Sequence, residues 1–502
     1  MTRSTFRDAP PLGLLVFVVG SASLGAEIAA ARLMAPFFGA STIVWANVIG
    51  IVLVSLAVGY WFGGRFADRH PHKRGLCTLV LVAALAVALV PFVADPFLDL
   101  AVDALDEVSA GAFIGSLVAV TVLVAPPVVL LAAASPYAIR LAVGRVEESG
   151  TVAGRMYAIS TVGSLIGTWG SALLLIPLIG TRRTFLAFAL ACALVALPGV
   201  ARRAALAVPA TIIVLLALPV GTIKAAGNGT VLEEVDTEYQ YARVVEEPDG
   251  RRELELNEGQ AVHSVYRPGS YLTDDIWDEY LVLPFAALER PPGRVAILGN
   301  AAGTTARALG HYFPATEVDG VEIDGELSRL GRKWFDMRNP RLRVFHEDAR
   351  PYLRRTDERY DVIMVDAYRQ PYIPFYLATR EFFELVRDRL EPGGAVIVNA
   401  GHPEGQDDLE KVLSATMAEA FPVVLRDPSE DTNTLILGAA SASAERLRQA
   451  LPRLPRGLRG IGFAAAARLA PRLEGGSVYT DDKAPVEWLI DKSIVEYAAQ
   501  GE

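Results

Sequence analysis

The distribution of apolar residues divides the chain into two parts that differ near residue 225. Before that point, nearly uncharged apolar runs recur, each close to the 20 or so residues that cross a bilayer as a helix. Lipid offers the backbone no hydrogen-bond partners, so helix is the expected conformation. The pattern predicts a polytopic α-helical membrane domain over residues 1–225 with about seven helices, at roughly 12–36, 42–64, 76–97, 110–134, 157–180, 184–201 and 204–223.

Polar and small residues inside these runs suggest how the helices interact. The spacings Gly59-x-x-x-Gly63 and Gly163-x-x-x-Gly167 predict close helix packing, unless glycine is here simply because it is common in membrane helices. Glu27 and Arg32 lie in the first run, where an ionisable group is costly. They form either a buried ion pair or a polar site for a substrate or lipid headgroup, and Asn47 fits either arrangement.

Charges between the runs predict an orientation. Basic residues crowd the loops at 65–74 and 135–156 and follow the sixth run, whereas the 98–108 loop is acidic. Cytoplasmic loops carry the excess of Lys and Arg, so the N-terminus is expected in the cytoplasm. Seven crossings would then put the C-terminal part outside. The Arg182–Arg183 pair lies on the wrong side in this scheme and points to a miscount between 157 and 223.

From residue 229 the pattern becomes that of a soluble α/β protein. Thr237–Val245 and Arg251–Leu256 alternate like strands around a Pro248-Asp249-Gly250 turn, which predicts a β-hairpin subdomain over residues 229–270. Short apolar strands then alternate with helical stretches over residues 271–502. This alternation predicts a doubly wound, Rossmann-like sheet of the methyltransferase type. Its predicted strands are Arg294–Leu298, Glu317–Ile323, Leu342–Phe345, Asp361–Val365, Ala395–Asn399, Val423–Arg426 and Thr434–Leu437.

Ligands of such sheets bind at the carboxyl ends of the strands, where three acids occur here. A small-residue turn, Gly299-Asn-Ala-Ala-Gly303-Thr304, follows the first strand and lets a nucleoside approach the backbone. Glu322 ends the second strand, nineteen residues past Gly303, at a distance suited to binding ribose hydroxyls. Asp348 and Asp366 end the third and fourth strands. Together these residues predict a nucleoside site.

Composition restricts the function further. The chain is 52% hydrophobic and 21% charged, with a formal net charge of −10, so a nucleic-acid partner is not expected. The two cysteines, Cys77 and Cys192, both lie in apolar runs and provide neither a disulfide framework nor zinc spacing. His70 and His72 lie in a basic loop and are expected to be solvated, so no metal is predicted.

In order and spacing, residues 231–440 resemble the spermidine synthase (polyamine aminopropyltransferase) family. The matching parts are Glu-Tyr239-Gln240, the glycine-rich turn, Val-Glu322-Ile-Asp, Glu-Asp348-Ala, Tyr-Asp-Val-Ile-Met-Val-Asp366 and Thr-Arg-Glu-Phe-Phe. The fusion to membrane helices is similar to that of bacterial membrane-bound spermidine synthase-like proteins. The segment Thr480-Asp-Asp-Lys-Ala-Pro-Val-Glu487 is either typical of that group or a capped loop leading into a final helix.

The resemblance implies a role for each matching residue. Asp366 would orient the attacking amine and take its proton. Gln240 would contact the methylthioadenosine part of the donor, Glu322 the ribose and Asp348 the adenine amino group. The donor, decarboxylated S-adenosylmethionine or S-adenosylmethionine itself, would be bound by Gln240, Gly299, Ala301, Gly303, Glu322, Asp348 and Ala349. The acceptor would be bound by Tyr239, Asp278, Tyr368, Arg369 and Tyr372.

Three positions depart from the family pattern. The family's turn reads Gly-Gly-Gly-Asp-Gly-Gly, and its acid falls on Ala302 here. A second family acid, three residues after the catalytic one, is Arg369, whose guanidinium repels a diamine and prefers an anion. A His-containing family motif reads Trp277-Asp278-Glu279. The segment from Tyr368 to Tyr372 is either a pocket wall with an anion clamp or a proline-stiffened loop.

These observations leave three classes of function open. The first is a membrane-bound aminopropyltransferase acting on a small or membrane-borne amine, favoured by Gln240 and the hairpin unit. The second is an S-adenosylmethionine-dependent methyltransferase, favoured by Ala302 and Arg369. The third is a polyamine transporter or sensor. The expected location is a multi-pass arrangement in the cell membrane, with the soluble domain cytoplasmic on grounds of cofactor supply, and self-association is a family-based expectation.

Overall fold

The structure of the protein is a computed structural model that describes residues 10–38, 42–106, 111–200, 203–218, 229–257, 262–368 and 373–499. These residues fall into two compact units. One lies within Met1–Ala225 and Glu238–Tyr241, and the other within Ala226–Thr237 and Ala242–Glu502.

The N-terminal unit is built of helices: α1 Leu12–Phe38, α2 Thr42–Arg69, α3 Lys73–Asp106, α4 Gly111–Ala119, α5 Ala125–Ala142, α6 Ser149–Gly170, α7 Ile176–Ile179, α8 Thr181–Ala196 and α9 Ala207–Ala217. Single π-helical turns join α4 to α5 and α6 to α7. In the described part of the chain, six helices are long and apolar enough to cross a membrane. The predicted seventh span, 204–223, is described only as far as residue 218, where it contains a shorter apolar helix, Arg203–Ala217, and the count of about seven stays a prediction.

Glycines allow the long helices to pack backbone to backbone. A Cβ on Gly163 or Gly167 of α6 would collide with the α1 carbonyl groups of Phe17 and Ser21. Gly59 and Gly63 of α2 lie in the same way against α5. The glycine spacing is therefore a packing device, as is usual where lipid leaves helix association to close van der Waals contact. Asn47 donates a 2.9 Å hydrogen bond to Ser116 Oγ, which links α2 to α4.

The outward faces of these helices are apolar. Large side chains such as Leu53, Val54, Trp61, Leu173 and Leu178 are more than half exposed. Soluble proteins rarely expose apolar surface on this scale. The exposure agrees with the membrane domain predicted from the sequence, while Glu27 and Arg32 are half-buried in α1.

The second unit begins with a four-stranded sheet in the order β1-β2-β3-β4, formed by β1 Thr230–Asp236, β2 Tyr241–Glu246, β3 Arg252–Leu256 and β4 Val262–Tyr266. The β2–β3 hairpin turns at Gly250 as predicted, with φ of +82°. The single strand predicted over Thr237–Val245 was wrong, because the chain bends between β1 and β2. Thr237 there donates a 2.6 Å hydrogen bond to Asp324, a tertiary contact that local alternation does not reveal.

The main sheet has eight strands in the order β12-β10-β11-β9-β8-β5-β6-β7. These are β5 Arg294–Leu298, β6 Glu317–Val321, β7 Leu342–Phe345, β8 Tyr360–Val365, β9 Leu390–Gly401, β10 Val423–Glu430, β11 Asn433–Ala439 and β12 Ala470–Pro471. Strands β5 to β9 pair in parallel, whereas β10, β11 and β12 are antiparallel additions. The Rossmann-like sheet predicted from the sequence is confirmed.

Helices cover this sheet: α10 Thr304–Tyr312, α11 Gly325–Trp334, α12 Ala349–Arg355, α13 Arg380–Asp388, α14 Asp408–Ala418, α15 Ala444–Ala450, α16 Arg459–Arg468 and α17 Val486–Ala499. Alternate residues of β5 pack into different hydrophobic cores on the two faces of the sheet. Val295 and Ile297 belong to one core, and Ala296 and Leu298 belong to the other. Burial on both faces explains why these strands are continuously apolar.

The strand order reverses between β5 and β8, which are neighbours in the sheet although β6 and β7 come between them in the chain. At such a switch point the connections leave in opposite directions and open a crevice at the carboxyl ends of the strands.

Candidate active site

The turn after β5 lies at this crevice and has an unusual backbone. Gly299 and Gly303 have φ values of +92° and +86°, and Ala301 has +42°. A Cβ on Gly299 would strike the carbonyl of Asp366, so only glycine lets the ends of β5 and β8 come this close. Gly303 directly precedes α10, and its amide donates a 2.8 Å hydrogen bond to the carbonyl of Asn300. The turn thus forms a small-residue surface where a ligand can approach the backbone.

Glu322 follows β6 and points back at this turn. Its Oε2 accepts a 2.8 Å hydrogen bond from the amide of Ala301, and its Oε1 accepts one of 3.0 Å from the amide of Asp324. Burial raises the pKa of Glu322 to about 7, while these amides favour the charged form. A carboxylate has about four acceptor positions, so two remain for other donors. Two ribose hydroxyls match that number.

Asp348 caps the start of α12, where its Oδ1 accepts a 2.9 Å hydrogen bond from the amide of Arg350. Its Oδ2 accepts a 2.5 Å hydrogen bond from the Tyr376 hydroxyl, and Ala349 beside it is buried. The predicted contact with adenine stays a prediction.

A salt bridge from a distant part of the chain holds this helix start. The buried Arg350 guanidinium binds Asp481 in a bidentate manner, at 2.8 and 2.6 Å. Thr379 adds a 2.7 Å hydrogen bond to the same carboxylate. The segment after Thr480, which the sequence left open between a family signature and a capped loop, thus fastens the helix that presents Asp348.

Asp366 follows β8 on the far side of the switch point from Glu322. Its Oδ1 accepts a 2.9 Å hydrogen bond from Asn399 Nδ2, and its Oδ2 accepts one of 3.3 Å from Trp277 Nε1. Burial raises the pKa of Asp366 to about 6, whereas these two donors act in the opposite direction. The carboxylate is therefore held in one orientation and remains mainly ionised at neutral pH.

The structure assigns two of the predicted acceptor residues to other contacts. The carboxylate of Asp278 is buried and accepts hydrogen bonds from the amides of Thr273 and Asp274, at 2.9 Å each, and from the Thr273 hydroxyl at 3.0 Å. It braces its own loop, and its predicted role in acceptor binding stays a prediction. The Tyr368 hydroxyl donates to the carbonyl of Asn399 at 3.0 Å.

Four further residues were predicted to line the site. Arg369 and Tyr372 lie outside the described residues. Tyr239 and Gln240 lie in the bend between β1 and β2, in the segment that groups with the N-terminal unit, and Gln240 is buried. Their roles stay predictions.

Sequence reasoning missed the residues that orient Asp366. Asn399 lies within β9, and its own Oδ1 accepts a 2.9 Å hydrogen bond from Asn433 Nδ2 on β11. A polar residue near the end of an apolar strand that neighbours β8 was the available signal. Trp277 was noticed only as a departure from a motif.

Comparison with known proteins extends this description. The spermine/spermidine synthase domain matches residues 277–427. The C-terminal region is a spermine/spermidine synthase domain. The match includes Asp366, Glu322 and Asp348, so the resemblance inferred from the motifs is confirmed.

Several curated relatives share this region. A probable polyamine aminopropyl transferase of Bifidobacterium longum (strain NCC 2705) is 37% identical over 189 residues, which are 38% of this chain and 42% of that protein. A polyamine aminopropyltransferase of Vibrio vulnificus (strain CMCP6) is 29% identical over 220 residues, 42% of this chain and 72% of that protein. The chain thus spans less than half the length of the Bifidobacterium relative.

Among solved structures, a probable spermidine synthase from Corynebacterium glutamicum ATCC 13032 is 22% identical, with a TM-score of 0.39, and the alignment covers 50% of this chain and 98% of that one.

Proposed function

We propose that the C-terminal domain transfers an aminopropyl group from decarboxylated S-adenosylmethionine to an amine. The observation that carries the proposal is the placement of Asp366, oriented by Asn399 and Trp277, across the switch point from Glu322 and the glycine turn. A nucleoside held by the turn and Glu322 would bring its sulfonium toward this carboxylate. The spermine/spermidine synthase domain over residues 277–427 supports the same chemistry.

In the proposed reaction the acceptor nitrogen attacks the aminopropyl carbon that is bonded to sulfur. The new C–N bond forms as the S–C bond breaks, and the electron pair of that bond stays on sulfur, which becomes the neutral thioether of methylthioadenosine. An amine near pKa 10 is protonated at neutral pH and is then no nucleophile. The Asp366 carboxylate takes this proton and later releases it to water, while positioning of the two reactants supplies much of the rate.

Carboxylates near Asp366 favour a cationic acceptor. The charge of Asp275 adds to burial in raising the pKa of Asp366. This negative field attracts an ammonium group and opposes an anionic acceptor. The field supports an amine acceptor despite Arg369.

We further propose that the six long helices cross the membrane and that the domain faces the cytoplasm. Six crossings leave both ends of the bundle on one side, and the basic loops favour a cytoplasmic N-terminus. Within the described residues, the apolar helix that follows these six, Arg203–Ala217, is shorter than any of them. The even count removes the conflict with cofactor supply.

Cysteine labelling tests this topology, because Cys77 and Cys192 are both buried and give little background. A cysteine introduced at the exposed Glu474 should resist a membrane-impermeant maleimide in intact cells and react after lysis. Labelling in intact cells would place the domain outside.

The reaction itself is tested by mass spectrometry of the nucleoside product from full-length protein in detergent. The protein receives S-adenosylmethionine or its decarboxylated form, with a panel of amines and a lipid extract. Methylthioadenosine together with an amine that has gained an aminopropyl group is the expected result. S-adenosylhomocysteine would instead make the protein a methyltransferase, and no product from either donor would favour a transporter or sensor.

A further inference from the structure

A small pocket lies beside Asp366 at the switch point. Trp277 and Tyr280 of the 3-10 helix Ile276–Leu281 line it, together with His263 of β4 and Asn300 of the glycine turn. The Tyr280 hydroxyl is close enough to Asp366 that the carboxylate adds to burial in raising the pKa of the tyrosine. Four different segments therefore bring polar atoms to one place.

Two of these polar atoms, the Tyr280 hydroxyl and His263 Nε2, are buried without a hydrogen-bond partner among the described residues. The side chain of Tyr280 is only 1% exposed. Asn300 Oδ1 also lacks a partner there, but its side chain lies against Gly320 of β6, on the other side of β5 from Asp366. Most buried polar side-chain atoms have a partner, and a folded domain leaves only a few unpaired. Two such atoms on residues that line one pocket, next to the proposed catalytic carboxylate, indicate a ligand group that supplies the missing partners.

The chemistry of the pocket specifies that group. The tyrosine oxygen accepts as well as donates, and a neutral imidazole protonated at Nδ1 presents Nε2 as an acceptor. Burial lowers the pKa of His263 to about 4, so its ring is neutral under physiological conditions. Asp366 contributes a negative charge, and none of the described lining residues is Lys or Arg. A primary ammonium carries three N–H donors and no acceptor, which is the complement of this set.

We propose that His263 and Tyr280 form, with Asp366, a recognition site for a primary ammonium group. The inference rests on the proposed function and adds the residues that bind the charged end of a substrate. An acid at position 302 is disfavoured by its surroundings, because Ala302 is fully buried in an apolar cluster with Leu256, Leu330 and Phe335, where a carboxylate would be poorly solvated.

Two substrates of the proposed reaction carry such a group: the aminopropyl end of the donor and the acceptor amine. The first test uses unaltered full-length protein in detergent and isothermal titration calorimetry without acceptor. It compares decarboxylated S-adenosylmethionine with its S-propyl analogue, which lacks only the terminal amino group, and with methylthioadenosine. If the site holds the donor ammonium, the S-propyl analogue should bind at least about tenfold more weakly than the donor.

The second test uses Tyr280→Phe and His263→Phe, with Tyr312→Phe as the matched control. Tyr312 lies at the end of α10 and does not line the pocket. Each pocket variant should raise the Kd of the donor about tenfold and leave that of methylthioadenosine within about twofold, because the lost bond involves only the charged end. The control should bind both ligands like the unaltered protein, and an unchanged methylthioadenosine Kd excludes a folding defect.

The outcomes distinguish a donor ammonium from an acceptor ammonium, and failure of the ammonium site from failure of the proposed function. Unchanged donor binding with a raised KM for the acceptor amine in both pocket variants would assign the ammonium to the acceptor. If the donor and its S-propyl analogue bind equally and neither the donor Kd nor the acceptor KM responds to the variants, the ammonium site is refuted while the nucleoside site stands. Failure of the unaltered protein to bind any of the three nucleosides would overturn the proposed function and, with it, this site.

Discussion

Replacement of Asp366 by asparagine is the sharpest perturbation of the proposed chemistry. The amide has nearly the same shape as the carboxylate, so packing should be retained, but it cannot take a proton. General bases contribute about 10²–10⁴-fold to rate, so kcat should fall by that factor, which corresponds to about 3–5 kcal/mol of barrier. Asp357→Asn, at an exposed position, is the charge-matched control and should leave kcat unchanged.

The pH dependence of kcat/KM tests the role of Asp366 independently of this variant. The pKa of Asp366 is raised to about 6, so kcat/KM should fall about tenfold per pH unit below that value, as the carboxylate becomes protonated. Asn399→Leu removes the 2.9 Å donor that favours the charged form. A hydrogen bond to a charged group is worth about 1.5–3 kcal/mol, so the acidic limb should move upward by about one pH unit or more.

The assay follows methylthioadenosine release from decarboxylated S-adenosylmethionine between pH 5 and 9 over a range of amine concentrations, which gives both kcat and kcat/KM. Asp366→Asn with full activity would refute the role of this carboxylate. An acidic limb that stays near pH 6 in Asn399→Leu, with kcat reduced, would show that Asn399 acts through packing and does not tune the base.

Three further predictions concern residues around the reacting groups. Glu322→Gln should weaken methylthioadenosine binding about tenfold or more. The unaltered protein should also lose affinity for methylthioadenosine as the pH falls through about 7, because the raised pKa of Glu322 lets this carboxyl become protonated there. Calorimetry at pH 6 and 8.5 checks both predictions. Trp277→Phe removes a 3.3 Å donor and should lower kcat about three- to tenfold, whereas Trp334→Phe, which loses a 2.7 Å indole bond to Glu233, should not change it. Asp481→Asn should lower the free energy of unfolding by about 1–2 kcal/mol at pH 7.5, a modest loss because that side chain is 44% exposed. Arg350 lowers the pKa of Asp481, so this stabilisation is present above pH ~4 and is lost as the pH falls through the pKa that Asp481 has in the folded protein. Urea unfolding of the unaltered protein and the variant at pH 7.5 and at pH 3 checks this, and an equal difference in unfolding free energy at both pH values would contradict it.

The sequence by itself determined the features that depend on local periodicity and chain spacing. Apolar runs of membrane length predicted the helical N-terminal part, and strand–helix alternation predicted the parallel core of the sheet. The acids Glu322, Asp348 and Asp366 were found because each comes shortly after the carboxyl end of a strand, and parallel strands bring these ends to one edge.

The tertiary structure decided what depends on contacts between distant segments. The chain bends between β1 and β2, where Thr237 donates a hydrogen bond to Asp324. The carboxylate of Asp278 accepts hydrogen bonds within its own loop. Asn399 reached Asp366 only because β9 pairs with β8.

The ammonium pocket shows the same limit most clearly. His263 and Tyr280 each look ordinary in the sequence, and only folding reveals that both line one pocket beside Asp366, with polar atoms that are buried and have no partner among the described residues. Local pattern encodes which elements form, because it reflects interactions between neighbours in the chain. The partners of a buried polar atom are set by the packing of whole elements, which no single segment contains.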